Sequence, residues 1–230
     1  MKTEKNKINL NINERIDDLQ YNGLKIIQNK NLYCFSSDAV LLCNFVKTKK
    51  SDILVDLCSG SGVVGILAQA KNSTKKVILV EKQKSLADMC NRTLQLNNLT
   101  DAEVLNADAK DVVSILGIGK YDVVCSNPPY YLPQGKKLSG RPEIDMAKFE
   151  LTLTFDDLCK SASKLLKYGG KFYFVNDSSR IAEIICVLKK YNLEPKQIQF
   201  CFPNGKKSNV VLIQATKNGK SGATITQKNI

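Results

Sequence analysis

The chain of 230 residues contains no histidine, and none of its eight cysteines falls in a Cys-x-x-Cys pair. Zinc sites built from paired thiolates, or from thiolate and imidazole, are therefore not expected. An imidazole acting as general acid or base near neutral pH is excluded as well. The cysteines, at positions 34, 43, 58, 90, 125, 159, 186 and 201, sit mostly among apolar neighbours. They read as small core residues kept in a reducing compartment. No apolar run approaches the roughly 20 residues that a membrane-spanning helix needs. The stretch Met1–Asn13 is polar and lacks a signal-peptide pattern. A cytoplasmic protein is expected, with no membrane association, no metal and no evident obligate protein partner.

What is present is enough for one packed α/β domain, with 43% hydrophobic residues. The formal net charge of +12 is unevenly spread. Residues 1–55 carry nine basic and six acidic side chains, residues 56–130 carry eight of each, and residues 131–230 carry seventeen and eight. Thirty of the 34 basic residues are lysine, a bias that explains Lys over Arg but not the neutral central segment. A positive excess concentrated outside that segment suits a surface that grips nucleic-acid phosphates.

Two motifs carry chemistry. The apolar run Tyr121–Ser126 leads into Asn127-Pro128-Pro129-Tyr130. Proline fixes its own φ and pushes the preceding residue into an extended conformation. The Asn127 side-chain oxygen and the Pro128 carbonyl would then be fixed acceptors for one amino group. An amine conjugated to a ring becomes nucleophilic only when its hydrogens are held and its lone pair released. Two preorganised acceptors supply that by stabilising the charge that develops on nitrogen. Tyr130 would stack on the ring, with Tyr131 as second choice. The other motif is Ile53–Leu57 followed by Gly60-x-Gly62-x-x-Gly65, opening an apolar helical stretch. Alone it is compatible with a dinucleotide. The strand Val77–Val80 ends in Glu81, placed for ribose hydroxyls. Asp56, just before the turn, would repel a pyrophosphate and favour an ammonium group, which tilts the reading to S-adenosylmethionine. Cys58 lies in the same turn, but methyl transfer to an amine needs no covalent step.

Taken together these residues resemble the class I S-adenosylmethionine-dependent methyltransferases that act on amines. More narrowly the chain is similar to the bacterial tRNA (valine) adenine-N6 methyltransferases, which modify the adenine 3′-adjacent to the anticodon. The narrower likeness rests on Glu14–Gln20, Leu24–Gln28 and Phe35–Leu42, then on the glycine turn, Asn127–Tyr130 and Gly169–Phe172. It implies S-adenosylmethionine as cofactor and tRNA as partner. Asp56, Gly60 and Gly62 would line the methionine end, Glu81 would accept from the ribose, and Asp108 would accept from the adenine amine. Phe35, Ser36 and Asp38 would form a cofactor lid. The chain departs from the family at Phe149, where a histidine is expected. Other readings stay open: a ribosomal-RNA guanine-N2 methyltransferase, a release-factor glutamine methyltransferase, or a non-catalytic RNA-binding protein. The release-factor enzymes carry a larger helical domain before the glycine turn, whereas 55 residues precede Asp56 here.

The expected fold is a Rossmann-like α/β domain over residues 51–230, preceded by an N-terminal extension and lid over 1–50. The first 13 residues are expected to be loosely attached. A short extended stretch at 24–28 and a helix at 37–45 precede the domain. Strands are expected at 53–57, 76–81, 103–106, 121–126, 170–176, 197–202 and 209–216, with helices at 63–71, 84–97, 155–167 and 179–191. The last two strands form an antiparallel pair at the edge of a seven-stranded, mostly parallel sheet, with helices on both faces. The basic stretch 131–149, carrying Lys136, Lys137 and Arg141, is expected to be a mobile loop that grips RNA.

Overall fold

The structure, a computed structural model, describes residues 8–133, 138–203 and 208–230. An antiparallel hairpin of β1 (Glu14–Asp18) and β2 (Lys25–Asn29) comes first, then α1 (Ser37–Phe45). The hairpin is fastened to the body of the domain. Ile27 N–H donates to Thr93 Oγ1 at 3.1 Å, and Arg92 forms an ion pair with Glu14 at 2.7 Å.

Strands and helices then alternate as β3 (Ile53–Leu57), α2 (Val63–Asn72), β4 (Lys76–Glu81), α3 (Lys84–Leu96), β5 (Ala102–Asn106), α4 (Val112–Leu116) and β6 (Tyr121–Ser126). After β6 come α5 (Pro142–Lys148), α6 (Phe155–Leu165), β7 (Leu166–Asp177) and a 3₁₀ turn (Ser178–Arg180). Helix α7 (Ile181–Lys190) and strands β8 (Leu193–Phe202), β9 (Val210–Lys217) and β10 (Thr224–Asn229) complete the chain. The sheet order is β10-β8-β9-β7-β6-β3-β4-β5. Among the described strands of this sheet, β9 alone runs against its neighbours.

Strand alternation sorts the core into two layers. Leu54, Leu79, Val123 and Cys125 face α1 and α2, while Val55, Leu57, Val80 and Val124 face α6 and α7. Both faces are covered, so the central strands read as unbroken apolar runs, as parallel strands do. Helix α2 lies close to the sheet because Gly65 has no side chain. A Cβ there would come within 2.3 Å of Leu79 Cδ2 and 3.1 Å of Asp56 Cβ.

The fold class is as expected; besides β1 and α4, which were not expected, there are three local differences. The sheet has eight strands, because β10 pairs in parallel with β8. The antiparallel pair β8–β9 is consequently not the edge: β9 sits between β7 and β8, and β10 is outermost. The expected 155–167 helix stops at Leu165 and β7 takes over at Leu166. The third difference lies in 131–149. Residues 138–149 are ordered around α5, with Asp145 buried and accepting from Ser139 N–H and Oγ–H, both at 2.8 Å. A short helix thus stands within the expected loop, and the buried carboxylate ties the start of the segment to it. Lys136 and Lys137 lie outside the described residues.

The close approach at Gly65 gives a stability prediction. Gly65→Ala would force α2 away from β3 and β4 and should cost about 1–3 kcal/mol, the range for overpacking. Denaturant melts check this; a change below about 0.5 kcal/mol would show that the helix has room to shift.

Candidate active site

The chain passes from β3 outward to β4 and β5, then returns to β6 on the other side of β3. This reversal is a switch point, and ligands of open α/β sheets bind beyond the strand ends there. The glycine turn follows β3 and the Asn127–Tyr130 turn follows β6, so two motifs far apart in sequence become neighbours. Ser126 Oγ donates to the Leu57 carbonyl at 2.7 Å, tying the two strand ends together.

A cleft opens above these ends. Cys58–Ser61, Glu81–Gln83, Ala107–Ala109, Asn127 and Pro129 line it, with Tyr33 and Phe35 on one side and Met146 and Ala147 of α5 on another. Its empty space, open mouth included, is about 800 Å³, which suits a small-molecule site. Left-handed backbone at Cys58, Gly60 and Gly62 makes the turn; at Gly62 a Cβ would meet Cys90 Sγ at 2.6 Å.

Three acids serve different purposes. Glu81 accepts from Gly60 N–H at 2.8 Å and Gln83 N–H at 2.7 Å. Burial raises its pKa, and these backbone donors oppose the rise. Each oxygen keeps a further acceptor site, so Glu81 can also take hydroxyl hydrogens from a ligand in the cleft. Asp108 accepts from Lys110 N–H at 2.9 Å and pairs with Lys82 at 2.9 Å. Burial pushes its pKa up, but the Lys110 amide and the Lys82 ammonium outweigh that and hold it low. Asp108 thus both ties the turn after β5 and lines the cleft. Asp56 is different. It is fully buried on the α2 face of β3, accepts from Gly65 N–H at 2.9 Å, and does not line the cleft. It was expected at the methionine end of a ligand; in the structure it meets the first turn of α2 from below. Its Oδ1 has no hydrogen-bond partner among the described residues.

The donor set tests which ligand fits. Lys82, the one cation lining the cleft among the described residues, is already paired with Asp108. The cleft suits a ligand that presents hydroxyl and amine hydrogens along apolar walls. Cys58 borders it as a thiol, since burial first and the Glu81 charge second push its pKa well up.

A second cavity adjoins the first. Asn127, Pro128, Tyr130 and Tyr131 line it with Ser36, Asp38 and Ile144, and Lys30 and Lys148 stand at its border. Asn127, Tyr33 and Ala147 line both cavities, so Asn127 stands between them. Burial is the main reason that the Tyr33 pKa is raised, and the nearby Ser36 and Asn127 side chains oppose the rise. Of the three expected lid residues, Phe35 borders the first cleft, while Ser36 and Asp38 belong to the second. Asp38 is held there because its carboxylate accepts from the Tyr130 hydroxyl at 2.6 Å. Tyr130 is thereby 8% exposed, and its ring meets Tyr131 edge-on at 4.9 Å. Phe149, in place of the expected histidine, is buried with its ring 5.9 Å from that of Tyr131.

Arg141 is exposed at the start of α5, outside both linings. Sequence reasoning missed Tyr33 and the two α5 residues, Met146 and Ala147. It also missed Gln83, whose Nε2 donates to the Glu143 carbonyl at 3.1 Å and ties α5 to the end of β4. Pro142, a favoured residue in the first helical turn, was the available signal for α5.

Asp56 gives a pH prediction. Burial drives its carboxyl up to about 7, against the Gly65 N–H and a Cys125 contact that favour the anion, with Glu81 adding repulsion. The unfolded chain titrates this group near about 3.9. Between those values the folded state keeps a proton that the unfolded state has released. This contribution therefore favours folding toward acid and is lost as pH rises through about 7. Asp56→Asn should remove up to about 1.4 kcal/mol per pH unit of that slope. Melts of parent and variant at several pH values check it; parallel lines would mean that Asp56 is charged in the folded state throughout.

Comparison with known proteins agrees with this geometry. The model of the family described as "Methyltransferase small domain" matches residues 34–192. A "tRNA1(Val) (adenine(37)-N6)-methyltransferase" of Shewanella halifaxensis is 24% identical over 161 residues, which cover 69% of this chain and 63% of that protein. A "Release factor glutamine methyltransferase" of Mycoplasma mycoides is 35% identical over 86 residues, 37% of this chain and 30% of that one. The aligned part thus spans less than two thirds of either relative. Among solved structures, a "predicted O-methyltransferase" from Agrobacterium tumefaciens superposes with a TM-score of 0.67 at 24% identity, covering 84% of this chain and 86% of that one.

Proposed function

The chain belongs to the methyltransferase small domain family and has the class I methyltransferase fold, and from that premise we propose that it methylates the exocyclic N6 amine of an adenine in tRNA with S-adenosylmethionine. The observation that carries the proposal is Asn127, standing between a cleft suited to the cofactor and a second cavity edged by aromatic side chains. In the first cleft Glu81 would take the ribose hydroxyls and Asp108 the adenine amine, with Phe35 against the ring and the Gly60–Gly62 turn close to the chain of the ligand. When bound, S-adenosylmethionine would supply an electrophilic methyl group.

The chain's own residues prepare the acceptor. In the second cavity the Asn127 side-chain oxygen and the Pro128 carbonyl hold the two hydrogens of an amine, and Pro129 keeps the turn rigid. With its lone pair released from the ring, the nitrogen would take that methyl group as the methyl–sulfur bond breaks, leaving S-adenosylhomocysteine and a positive charge on nitrogen. It then loses its proton to water, so no histidine is required. Tyr131 and Tyr130 form the aromatic side of this cavity. Tyr130, whose hydroxyl donates to Asp38, is proposed to stack on the base, with Tyr131 as second choice. The name of the Shewanella relative and the excess of basic residues over 131–230 support tRNA valine as the substrate, with the adenine 3′-adjacent to the anticodon as the target. Lys136, Lys137 and Arg141 are proposed as phosphate contacts.

Two measurements test this reading. Calorimetry should detect S-adenosylhomocysteine but not NAD, and Glu81→Lys should weaken the former at least about tenfold, since acceptors become a donor. Tight NAD binding, or no S-adenosylhomocysteine binding by the parent, sinks the cofactor assignment. Single-turnover methylation of tRNA by Asn127→Ala should be about 100-fold to 1000-fold slower than parent, the usual loss for one oriented group at a charge-developing centre. Mass spectrometry of the digested RNA identifies the product. N2-methylguanosine, or label on a release factor instead of RNA, would replace the adenine reading with one of its rivals.

A further inference from the structure

The Asn127–Tyr130 turn is short of backbone donors of its own. β6 ends at Ser126, and Pro128 and Pro129 have no N–H to donate. Its described fastenings come from elsewhere. At Tyr130 the hydroxyl donates to Asp38 of α1 at 2.6 Å, and the carbonyl accepts from Arg180 NH1 at 2.9 Å. Arg180 is 8% exposed and follows β7 in the 3₁₀ turn. Its guanidinium also donates to Glu150, just beyond α5, and to both oxygens of Glu183 on α7, at 2.9 and 2.6 Å. Glu150 N–H in turn donates to the Tyr131 carbonyl at 2.9 Å, and Tyr131 N–H to the Lys148 carbonyl at 3.0 Å.

We propose that Arg180 is a positioning residue for the proposed methyl transfer: by gripping the Tyr130 carbonyl and Glu150 together, it sets the orientation of Asn127 relative to α5. The inference rests on the proposed function only for its effect on turnover. A buried ion pair kept for stability alone is often matched by apolar packing. What apolar packing cannot supply is a donor to the Tyr130 carbonyl. Only a forked, planar cation reaches acceptors on three separate segments at once, which a lysine ammonium does less well. In a chain whose basic residues are 30 lysines and four arginines, an arginine stands where the fork is used.

The test compares Arg180→Met, Arg180→Lys and Glu183→Gln. Glu183 is half exposed, so its loss should affect stability little and leave the Tyr130 contact in place. Arg180→Met should slow single-turnover methylation by about 100-fold, as a misplacement of about 1 Å can. S-adenosylhomocysteine affinity and the RNA concentration at half-saturation should stay within about twofold of parent. Arg180→Lys should fall between, and it decides the matter if the Met variant does not fold. Amide exchange read without RNA should show Tyr131 N–H exchanging about tenfold faster in Arg180→Met but not in Glu183→Gln. Equal slowing by Arg180→Met and Glu183→Gln, or unchanged Tyr131 exchange in the Arg180 variants, would overturn the proposal. A parent that methylates no RNA defeats the functional reading, and the exchange measurement then decides the clamp by itself.

Discussion

Strands β3 and β6 lie side by side in parallel and end level, with Leu57 opposite Ser126. Everything at the site depends on that register. The next residues of β3 begin the glycine turn and the next residue of β6 is Asn127, so one ladder brings together two motifs separated by about 70 residues. A slip of one residue would reverse the faces of a strand. Asp56 would then point away from α2, and its bond to Gly65 N–H would be lost. The hydrogen bond from Ser126 Oγ to the Leu57 carbonyl reinforces the register at the level where it matters.

Around that pairing, charge is used sparingly and at graded depth. Asp56 lies deepest and accepts from Gly65 N–H at the start of α2, with burial raising its pKa to about 7. Glu81 lies at the floor of the cleft, with two backbone amides consumed and acceptor sites left over. Asp108 is nearest to solvent and is neutralised by Lys82. Only the latter two line the cleft. The ordering explains why three acids at the ends of three adjacent strands do not share one function.

Much of this was legible in the chain. β3, β4 and β6 and their motif-bearing ends are apolar runs punctuated by Gly, Glu and Asn-Pro, and they form where those signals place them. The errors share a physical origin. β10 has no buried face: all but one of its six residues are exposed, so burial periodicity gives it no signature. α5 is seven residues long, too short for a 3.6-residue period to stand out from a polar segment. Asp56 was assigned to the ligand by its distance along the chain from Gly60. Its alternation with Val55 and Leu57 already placed it on the opposite face of the strand from them, underneath α2. Tyr33 and Arg180 act through tertiary contacts over long sequence distances, which no local pattern reports.

The second cavity shows why order in 138–149 matters to chemistry. α5 contributes Ala147 to both cavities and Ile144 to the second, and its ends are fastened to different parts of the site. Near its start the Glu143 carbonyl accepts from Gln83, beside the acid of β4. Just past its end, Tyr131 and Phe149 form a parallel bridge, and Glu150 reaches Arg180. A segment held at both ends by the two halves of the site cannot shift without moving one of them. Contact between a substrate and α5 is therefore mechanically linked to the turn that carries Asn127. The prolines that stiffen that turn also deprive it of two of its four backbone donors, so part of its rigidity comes from neighbouring segments.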